Sequence, residues 1–328
     1  MKVFVTGGTG YIGRELVHCL LKHGDEVVAM YRGSDPPWQA NGLSWARADL
    51  HDTASMRVAM EGCEGVYHLA GLAGMWHPEK NAFFKMNVTA TKNVLQAVKG
   101  ASVPKLVFTS SAAVLSYSIR TPIVETDPQL EPFDEDYAFT KYLAEREILA
   151  EVDRGMHAIT LLPPRVYGPG HSNNGTNPVN KLMAQFLSRP YYMVPGDGRF
   201  VANYVFMDDL VEGHRLAMMH GKQGERYILG GENHDYASFY KALSDITGLK
   251  RKQIGVPKSL MVAIAEGAEA WSALTGRPPA ITRAVVNKLY SQRILNCEKA
   301  QRDLGYRITP LLEGLEITLK SIKKNGKL

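Results

Sequence analysis

Tyr137 and Lys141 stand four residues apart in DEDYAFTKYLAEREILAEV, a stretch read as a helix with acids in its first turn, so the two share a face. An ammonium beside a phenol favours the phenolate and lowers its pKa, which makes a tyrosine usable as acid or base near neutral pH. The pair alone is a weak signal, because a chain with 15 tyrosines meets Tyr-x-x-x-Lys about once by chance. Ser111 strengthens it. It closes KLVFTSS, read as a strand with Pro104 in front, at the carboxyl edge where open α/β sheets bind ligands. Its hydroxyl could hold a carbonyl or alkoxide oxygen beside Tyr137, although Ser110 and Ser111 could equally cap a turn or helix.

A second constellation is VTGGTGYIG, in which Gly7, Gly10 and Gly13 form Gly-x-x-Gly-x-x-Gly between a strand and a helix. Glycines permit a tight turn and close approach of backbone to ligand, and the free N–H groups of the helix start bind a diphosphate. The dinucleotide is chosen at the end of the second strand, where a carboxylate would bond the ribose 2′-hydroxyl of NAD. Here AMYRGS offers Arg32 and no acid, so NADP is expected, with NAD possible. Asp49 follows the third strand, where it could accept from the adenine amine or cap the next helix.

The elements that must position these groups alternate. Strands are expected at KVFVT (2–6), EVVAMYR, LSWARADL, GVYHLAG, KLVFTSS and HAITLLP. Helices fall between them at YIGRELVHCLLKHG, TASMRVAMEG, NAFFKMNVTATKNVLQAVKG and the Tyr137 segment. That rhythm means an α/β, Rossmann-type, doubly wound parallel sheet. Residues 168–200 are rich in Gly, Asn and Pro, NYVFMDDLVEGHRLAMMH reads as strand then helix, ERYILGG as a strand, and the chain from about 236 is mostly helical. The expected division is a cofactor domain over 1–167, with returning segments at about 201–232, and a smaller, mostly helical C-terminal substrate cap from 168–200 and 233–328.

Composition narrows the function classes. The 328 residues are 45% hydrophobic and 22% charged, ordinary globular values that exclude disorder, collagen and coiled coil. Net charge is +5 without a concentrated basic stripe, which disfavours nucleic acid and suits an anionic small ligand. Cys19, Cys63 and Cys297 make no CxxC and no metal-ligand spacing, so a reducing, cytoplasmic setting without metal is expected. MKVFVTGG reads as a strand entering a glycine turn rather than a signal peptide. No apolar run reaches a membrane span of about 20 residues, and SLMVAIAEGAEAWSAL, interrupted by Glu266 and Glu269, reads as an amphipathic cap helix.

Taken in order, TGGTGYIG, ADL, YHLAG, NVTATKNVL, FTSSAAV, Tyr137-x-x-x-Lys141, PPRVYGPG and VFMDDLVEGH resemble the extended short-chain dehydrogenase/reductases over nearly the whole length. The resemblance is closest to the branch of dihydroflavonol reductases and 3β-hydroxysteroid dehydrogenases, through AGMWHPEKNAFFKMNV and KAQRDLGYRITPLLEGL. It implies that Gly7, Gly10, Tyr11, Ile12 and Gly13 cradle the diphosphate, and that Asp49 and Leu50 hold the adenine. Leu69, Ala70 and Gly71 would line the cofactor. Asn87 would take a structural and proton-relay position, Thr109 would lie near the nicotinamide ribose, and Pro163 and Val166 would pass beside the nicotinamide. Ser111, Tyr137 and Lys141 would be catalytic, with Lys141 also bonding the ribose.

Trp76 and Tyr204, with Met75, Tyr117, Phe133, Tyr191 and Tyr192, are candidates to face a hydrophobic ketone or alcohol, and some of these aromatics are expected to pack in the core. The resemblance also implies a homodimer through 79–100 and 135–154. Two departures stand out. Nucleotide-sugar epimerases of the superfamily usually carry an arginine before the F-x-x-V-x-D-D strand, where this chain has Ala202 and Asn203 with Arg199 earlier, and many relatives have arginine at the position of Leu162. The expected activity is therefore NADP-dependent hydride transfer at a carbonyl or secondary alcohol, the alternative being a nucleotide-sugar epimerase or dehydratase with recycled NAD. A cofactor-sensing regulator is disfavoured because Tyr137 and Lys141 are both present.

Overall fold

Val3, Phe4, Val5 and Thr6 are all buried, so the first strand, β1 (Lys2–Thr6), is covered on both faces, as in the middle of a parallel sheet. A computed structural model describes residues 1–116, 122–129, 132–170 and 177–324. After β1 come α1 (Tyr11–Lys22), β2 (Glu26–Tyr31), β3 (Leu43–Arg47), α2 (Thr53–Ala59) and β4 (Gly65–His68). A π-helical turn at Phe84–Thr89 leads into α3 (Ala90–Gly100), followed by β5 (Lys105–Thr109), a 3₁₀ turn at Ala112–Val114, α4 (Asp136–Val152) and β6 (His157–Leu161). The chain continues through β7 (Arg165–Tyr167), α5 (Pro178–Ser188), β8 (Tyr191–Pro195), β9 (Val201–Phe206), α6 (Met207–His220), β10 (Arg226–Tyr227), β11 (Glu232–Asp235) and α7 (Tyr236–Thr247). Last are β12 (Lys252–Val256), α8 (Lys258–Thr275), α9 (Arg283–Leu289), α10 (Glu298–Leu304) and α11 (Leu311–Lys324).

Seven strands form one parallel sheet in the order β10-β6-β5-β4-β1-β2-β3. Alternation along β1 sends Val3 and Val5 to one face, against Leu16, Val17 and Leu20 of α1 and Leu210 and Val211 of α6. Phe4 goes to the other face, with Met56 of α2, Val94 of α3 and Ile148 of α4. Strand order reverses between β1 and β4, so their carboxyl ends open a crevice where this architecture binds ligands. The doubly wound sheet read from the sequence is therefore present.

Beyond it lies a second core that the sequence only outlined. β11, β9 and β7 form a three-stranded sheet, β12 pairs with β8, and Tyr167, Phe186, Tyr204, Phe239 and Leu315 pack between them and α5, α7 and α11. The Gly-, Asn- and Pro-rich stretch holds α5 and β8, and ERYILGG shortens to the two residues of β10. The helix expected at SLMVAIAEGAEAWSAL is α8. Its acids turn toward α9, where Arg283 meets Glu266 at 3.3 Å, while Leu260, Ile264, Trp271 and Leu274 stay exposed. No helix among the described residues is long and apolar enough to cross a membrane.

Candidate active site

The crevice floor is the turn from β1 to α1. Gly7 has φ 73°, and a Cβ there would sit 2.8 Å from the Ala70 nitrogen. A Cβ at Gly13 would fall 2.0 Å from the Gly7 carbonyl oxygen, so backbone packs against backbone with no room for a side chain. Gly10 donates its N–H to the Gly7 oxygen at 2.9 Å and caps α1 without a side-chain cap or a first-turn acid. The start of α1, at Tyr11, Ile12 and Gly13, thus presents N–H groups and a positive helix end to an anion, the fit that a cofactor diphosphate requires. Tyr11 crosses over this turn. Its hydroxyl donates to the Gly168 oxygen at 3.0 Å and accepts from Asn180 of α5 at 3.3 Å, and burial holds its phenol protonated.

Across the crevice, Ala70 donates its N–H to Thr6 Oγ1 at 3.1 Å, and Thr6, His68 and Thr91 form a buried hydrogen-bonded chain joining β1, β4 and α3. Burial, aided by Lys141, pushes His68 down to about 3, so this strut is a neutral imidazole. Leu69 is half-buried and Gly71 exposed, and a Cβ on Gly71 would stand 2.8 Å from Asn87 Oδ1 and 3.3 Å from Lys141 Nζ. Asn87 belongs to the π turn. It accepts from the Leu72 N–H at 2.8 Å and donates to the Leu72 oxygen and to Thr140 Oγ1 at 3.0 Å, so it ties the loop after β4 to α4. The extra residue per π turn is common where a side chain must be re-aimed at a site.

At the adenine end the residues separate. Asp49 Oδ1 accepts from the His51 N–H at 2.8 Å, while capping of α2 falls to Asp52. The Leu50 side chain is packed in the core and only its carbonyl is engaged, by Asn93 at 2.8 Å. Arg32 is exposed just past β2. Arg14, which the sequence reading passed over, lies 5.4 Å over the Trp38 ring with its Nε buried and no partner among the described residues. The signal for Arg14 was a cation immediately after the third glycine.

The catalytic candidates converge. Ser111 caps the 3₁₀ turn, accepting from the Ala113 N–H at 3.1 Å, and its hydroxyl is near enough to Tyr137 to favour the phenolate. Burial raises the Tyr137 phenol, Ser111 opposes that, and the Glu135 carboxylate adds to it. Lys141 is buried and its Nζ donates to the Thr109 oxygen at 2.9 Å, 5.0 Å from the Phe108 ring. Burial lowers Lys141 to about 8 against the pull of Glu145. Here the geometry departs from the sequence reading. Lys141 shares a helix face with Tyr137, but its long stem runs inward to the end of β5, so Ser111 rather than Lys141 is what favours the phenolate. Thr109 turns its hydroxyl away to His214 at 2.9 Å, whose other nitrogen bonds the Leu210 oxygen. Pro163 accepts from the Ala112 N–H at 2.9 Å, and half-buried Val166 accepts from Asn177 through its carbonyl.

The aromatic candidates scatter. Trp76 is half-buried, Met75 and Tyr191 are exposed, and Phe133 rests on Phe139 and Tyr142. Tyr204 is a core residue, 2% exposed and stacked on Phe239 at 4.8 Å, because β9 lies between β7 and β11 under α7. Tyr192 likewise stacks on Tyr240. Tyr117 lies outside the described residues. The sequence reading missed three cations on the cap side of the crevice. Arg165 reaches the hydroxyls of Tyr236 (2.8 Å) and Tyr204 (3.5 Å), Lys288 pairs with Glu135 at 3.0 Å, and Arg293 donates to the Ala112 oxygen at 2.8 Å. Only Arg165, a cation inside the aromatic-flanked PPRVYGPG, carried a local signal.

Two further placements bear on the sequence reading. Asn203 is fully engaged, bonding Gly231 in both directions and Asn233, while Arg199 is exposed beside Asp197, so neither stands in for the epimerase arginine. Cys19 does acquire neighbours with metal-ligand atoms, His23 and Glu212, all within 4.8 Å. However, Glu212 is held by both ends of Arg215 and burial pushes the Cys19 thiol up to about 12, away from the thiolate a metal needs.

Comparison with known proteins identifies the family. A family model described as NAD dependent epimerase/dehydratase family matches residues 3–230. The chain is 30% identical to a putative dihydroflavonol 4-reductase of Synechocystis sp., covering 98% of this chain and 95% of that protein. It is 28% identical to a 2-alkyl-3-oxoalkanoate reductase of Stenotrophomonas maltophilia, covering 93% and 94%. The crystal structure of gox2253 superposes with a TM-score of 0.84 at 27% identity, covering 99% of each chain. The protein is a member of the NAD-dependent epimerase/dehydratase family, on its extended short-chain dehydrogenase/reductase branch, and an NAD(P)-dependent enzyme of that type.

Proposed function

We propose that the protein is an NADP-dependent oxidoreductase acting at a carbonyl or secondary alcohol of a hydrophobic small molecule. The observation that carries this reading is the convergence of Ser111, at the turn after β5, with Tyr137 and buried Lys141 of α4, whose Nζ reaches the Thr109 carbonyl at the end of β5. A bound nicotinamide supplies or accepts the hydride. The chain's own residues do the rest. Tyr137, kept protonated by burial, gives its proton to the developing alkoxide, and Ser111 holds the same oxygen and steadies the phenolate left behind. Lys141 would hold the ribose hydroxyls, and its charge favours that phenolate once Nζ leaves the Thr109 carbonyl. The start of α1 would hold the diphosphate, with Leu69, Ala70, Gly71, Pro163 and Val166 along the cofactor's length. Arg32, with Arg14 nearby in the chain's first helix, supplies positive charge for a 2′-phosphate.

Reductase names among full-length relatives support this over the epimerase reading, as does the lack of an arginine at Ala202–Asn203. We also propose that 1–167 with 201–232 serves the cofactor and 168–200 with 233–328 the substrate. Three unpaired cysteines fit a cytoplasmic setting. Exposed Phe84, Phe139 and Leu149 on the 79–100 and 135–154 segments fit a homodimer. Paired calorimetric titration with NADPH and NADH tests the cofactor assignment. NADPH binding at least about tenfold tighter is expected. Equal binding, or protein that arrives loaded with NAD and epimerises a UDP-sugar, overturns it.

A further inference from the structure

Arg165 is an arginine in an aromatic setting without a carboxylate. Its guanidinium lies 5.3 Å from the Tyr236 ring centroid and 5.8 Å from that of Tyr204, and both of its hydrogen bonds, to those two hydroxyls, leave from Nη1. No acid among the described residues pairs with it. Glu135 is committed to Lys288 and Asp235 to the cap of α7. Burial opposes the charge of Arg165, and the tyrosine hydroxyls hold it cationic nonetheless. The Nε and Nη2 edge makes no bond to the described residues, and the residue is only half-buried. A guanidinium edge of that kind is a planar, two-pronged donor that matches a carboxylate.

Its surroundings put this edge in the substrate crevice. Pro163, two residues before Arg165, accepts from the N–H of Ala112, the residue after Ser111, and Arg293 donates to the carbonyl of that same Ala112. Lys288 is close enough to both arginines for each to depress its ammonium, and its partner Glu135 is felt by Tyr137. Lys288 and Arg293 are thus anchored on Glu135, two residues before Tyr137, and on Ala112, the residue after Ser111. The cation-bearing wall is contributed by β7 and by the segment around α9.

We infer that this wall is a carboxylate subsite, with Arg165 as its anchor, and that the substrate is a hydrophobic oxo acid or hydroxy acid rather than a neutral ketone or alcohol. This deepens the oxidoreductase reading and rests on it. The carbonyl oxygen lies on Ser111 and Tyr137, the carboxylate on the free edge of Arg165 with Arg293 and Lys288 adding field, and the hydrocarbon chain remains for the apolar part of the crevice. A bidentate carboxylate on an arginine that is already desolvated gains more than an exposed ion pair would.

The test uses chemically stable alcohols in the oxidation direction with NADP⁺ or NAD⁺. The probes are 3- and 5-hydroxydecanoate and their methyl esters, and binding of each acid and ester to cofactor-loaded protein is measured by calorimetry. For the wild type, at least one acid is expected to exceed its ester about thirtyfold in kcat/KM or in affinity. Arg165→Met is expected to remove that preference through KM and Kd while leaving ester turnover within about threefold. Arg165→Lys should restore part of the affinity for the acid, which a merely structural arginine would not require. Ester turnover and an unchanged melting temperature show that the variant folds. Acid and ester handled alike, or Arg165→Met lowering both equally, overturns the subsite and leaves the oxidoreductase reading standing. Neither acid binding nor ester turnover, with a UDP-sugar epimerised instead, overturns both.

Discussion

The floor of the crevice and its cap-side wall are built in opposite ways. The floor is backbone. Gly7, Gly10 and Gly13 lie within seven residues of the chain, pack against the Ala70 and Gly7 main chain, and leave no room for a Cβ. The wall is side chain. Arg165, Lys288 and Arg293 come from distant segments and meet only because the second core folds over the end of the main sheet. A backbone site tolerates no added atom, whereas a side-chain site can be retuned one residue at a time. Ser111 and Tyr137 stand where the two meet, which is where a constant cofactor must face a variable substrate.

The sharpest break in this comparison is Tyr137→Phe. Removing the proton donor should cut kcat about a thousandfold for acids and neutral alcohols alike, with cofactor affinity unchanged by calorimetry. Retained turnover would separate the catalytic oxygen site from both regions. Since burial raises the Tyr137 phenol, carbonyl reduction should hold steady through neutral pH and fall only under basic conditions, while alcohol oxidation rises with pH.

Gly13→Ala tests the floor alone. Its Cβ must displace the Gly7 carbonyl, so cofactor affinity is expected to drop roughly tenfold to hundredfold while any acid-over-ester preference at saturating cofactor survives. Loss of that preference would mean that the floor and wall are not independent.

Lys141→Met probes the price of a buried charge between them. Lys141 sits near 8 in the folded protein against an unfolded value of 10.5, so between those values the unfolded chain holds more protons and stability rises with pH. Below pH 8 the charged folded form carries a penalty on the order of 3 kcal/mol. Lys141→Met should therefore match or exceed wild-type stability at pH 7 in urea denaturation and lose the wild-type gain between pH 8 and 10.5, at the expense of turnover. A less stable variant at pH 7 would show that the Thr109 bond outweighs burial.

The smallest expected effect is that of Tyr204→Phe. Its hydroxyl contact to Arg165 is long, at 3.5 Å, and the ring stays stacked on Phe239, so acid KM should move less than about threefold. A large change would return Tyr204 to the substrate site.

Legibility followed the same division. The glycine turn and Ser111 could be read because each is placed by its immediate neighbours, a strand end and a helix start, within a few residues. Period-2 and period-3.6 patterns then set the sheet that carries them. Lys141 was readable as to face but not as to aim, since a four-carbon stem reaches whatever acceptor the fold provides, here the Thr109 carbonyl. Tyr204 and Tyr192 read as ligand-facing aromatics because a half-polar ring looks the same in sequence whether it lines a cleft or stacks in a core. The π turn that aims Asn87 left no mark on an otherwise helical pattern.

The sequence by itself determined the doubly wound sheet, the glycine turn between β1 and α1, the place of Ser111 at the end of β5 and the family, because those depend on local backbone conformation and short-range periodicity. Only the tertiary structure decided which acid answers which cation. Arg165, Lys288 and Arg293 span 129 positions of the chain (165 to 293), and charges so far apart in sequence acquire partners, or are left facing a ligand, only once the two cores have closed on each other.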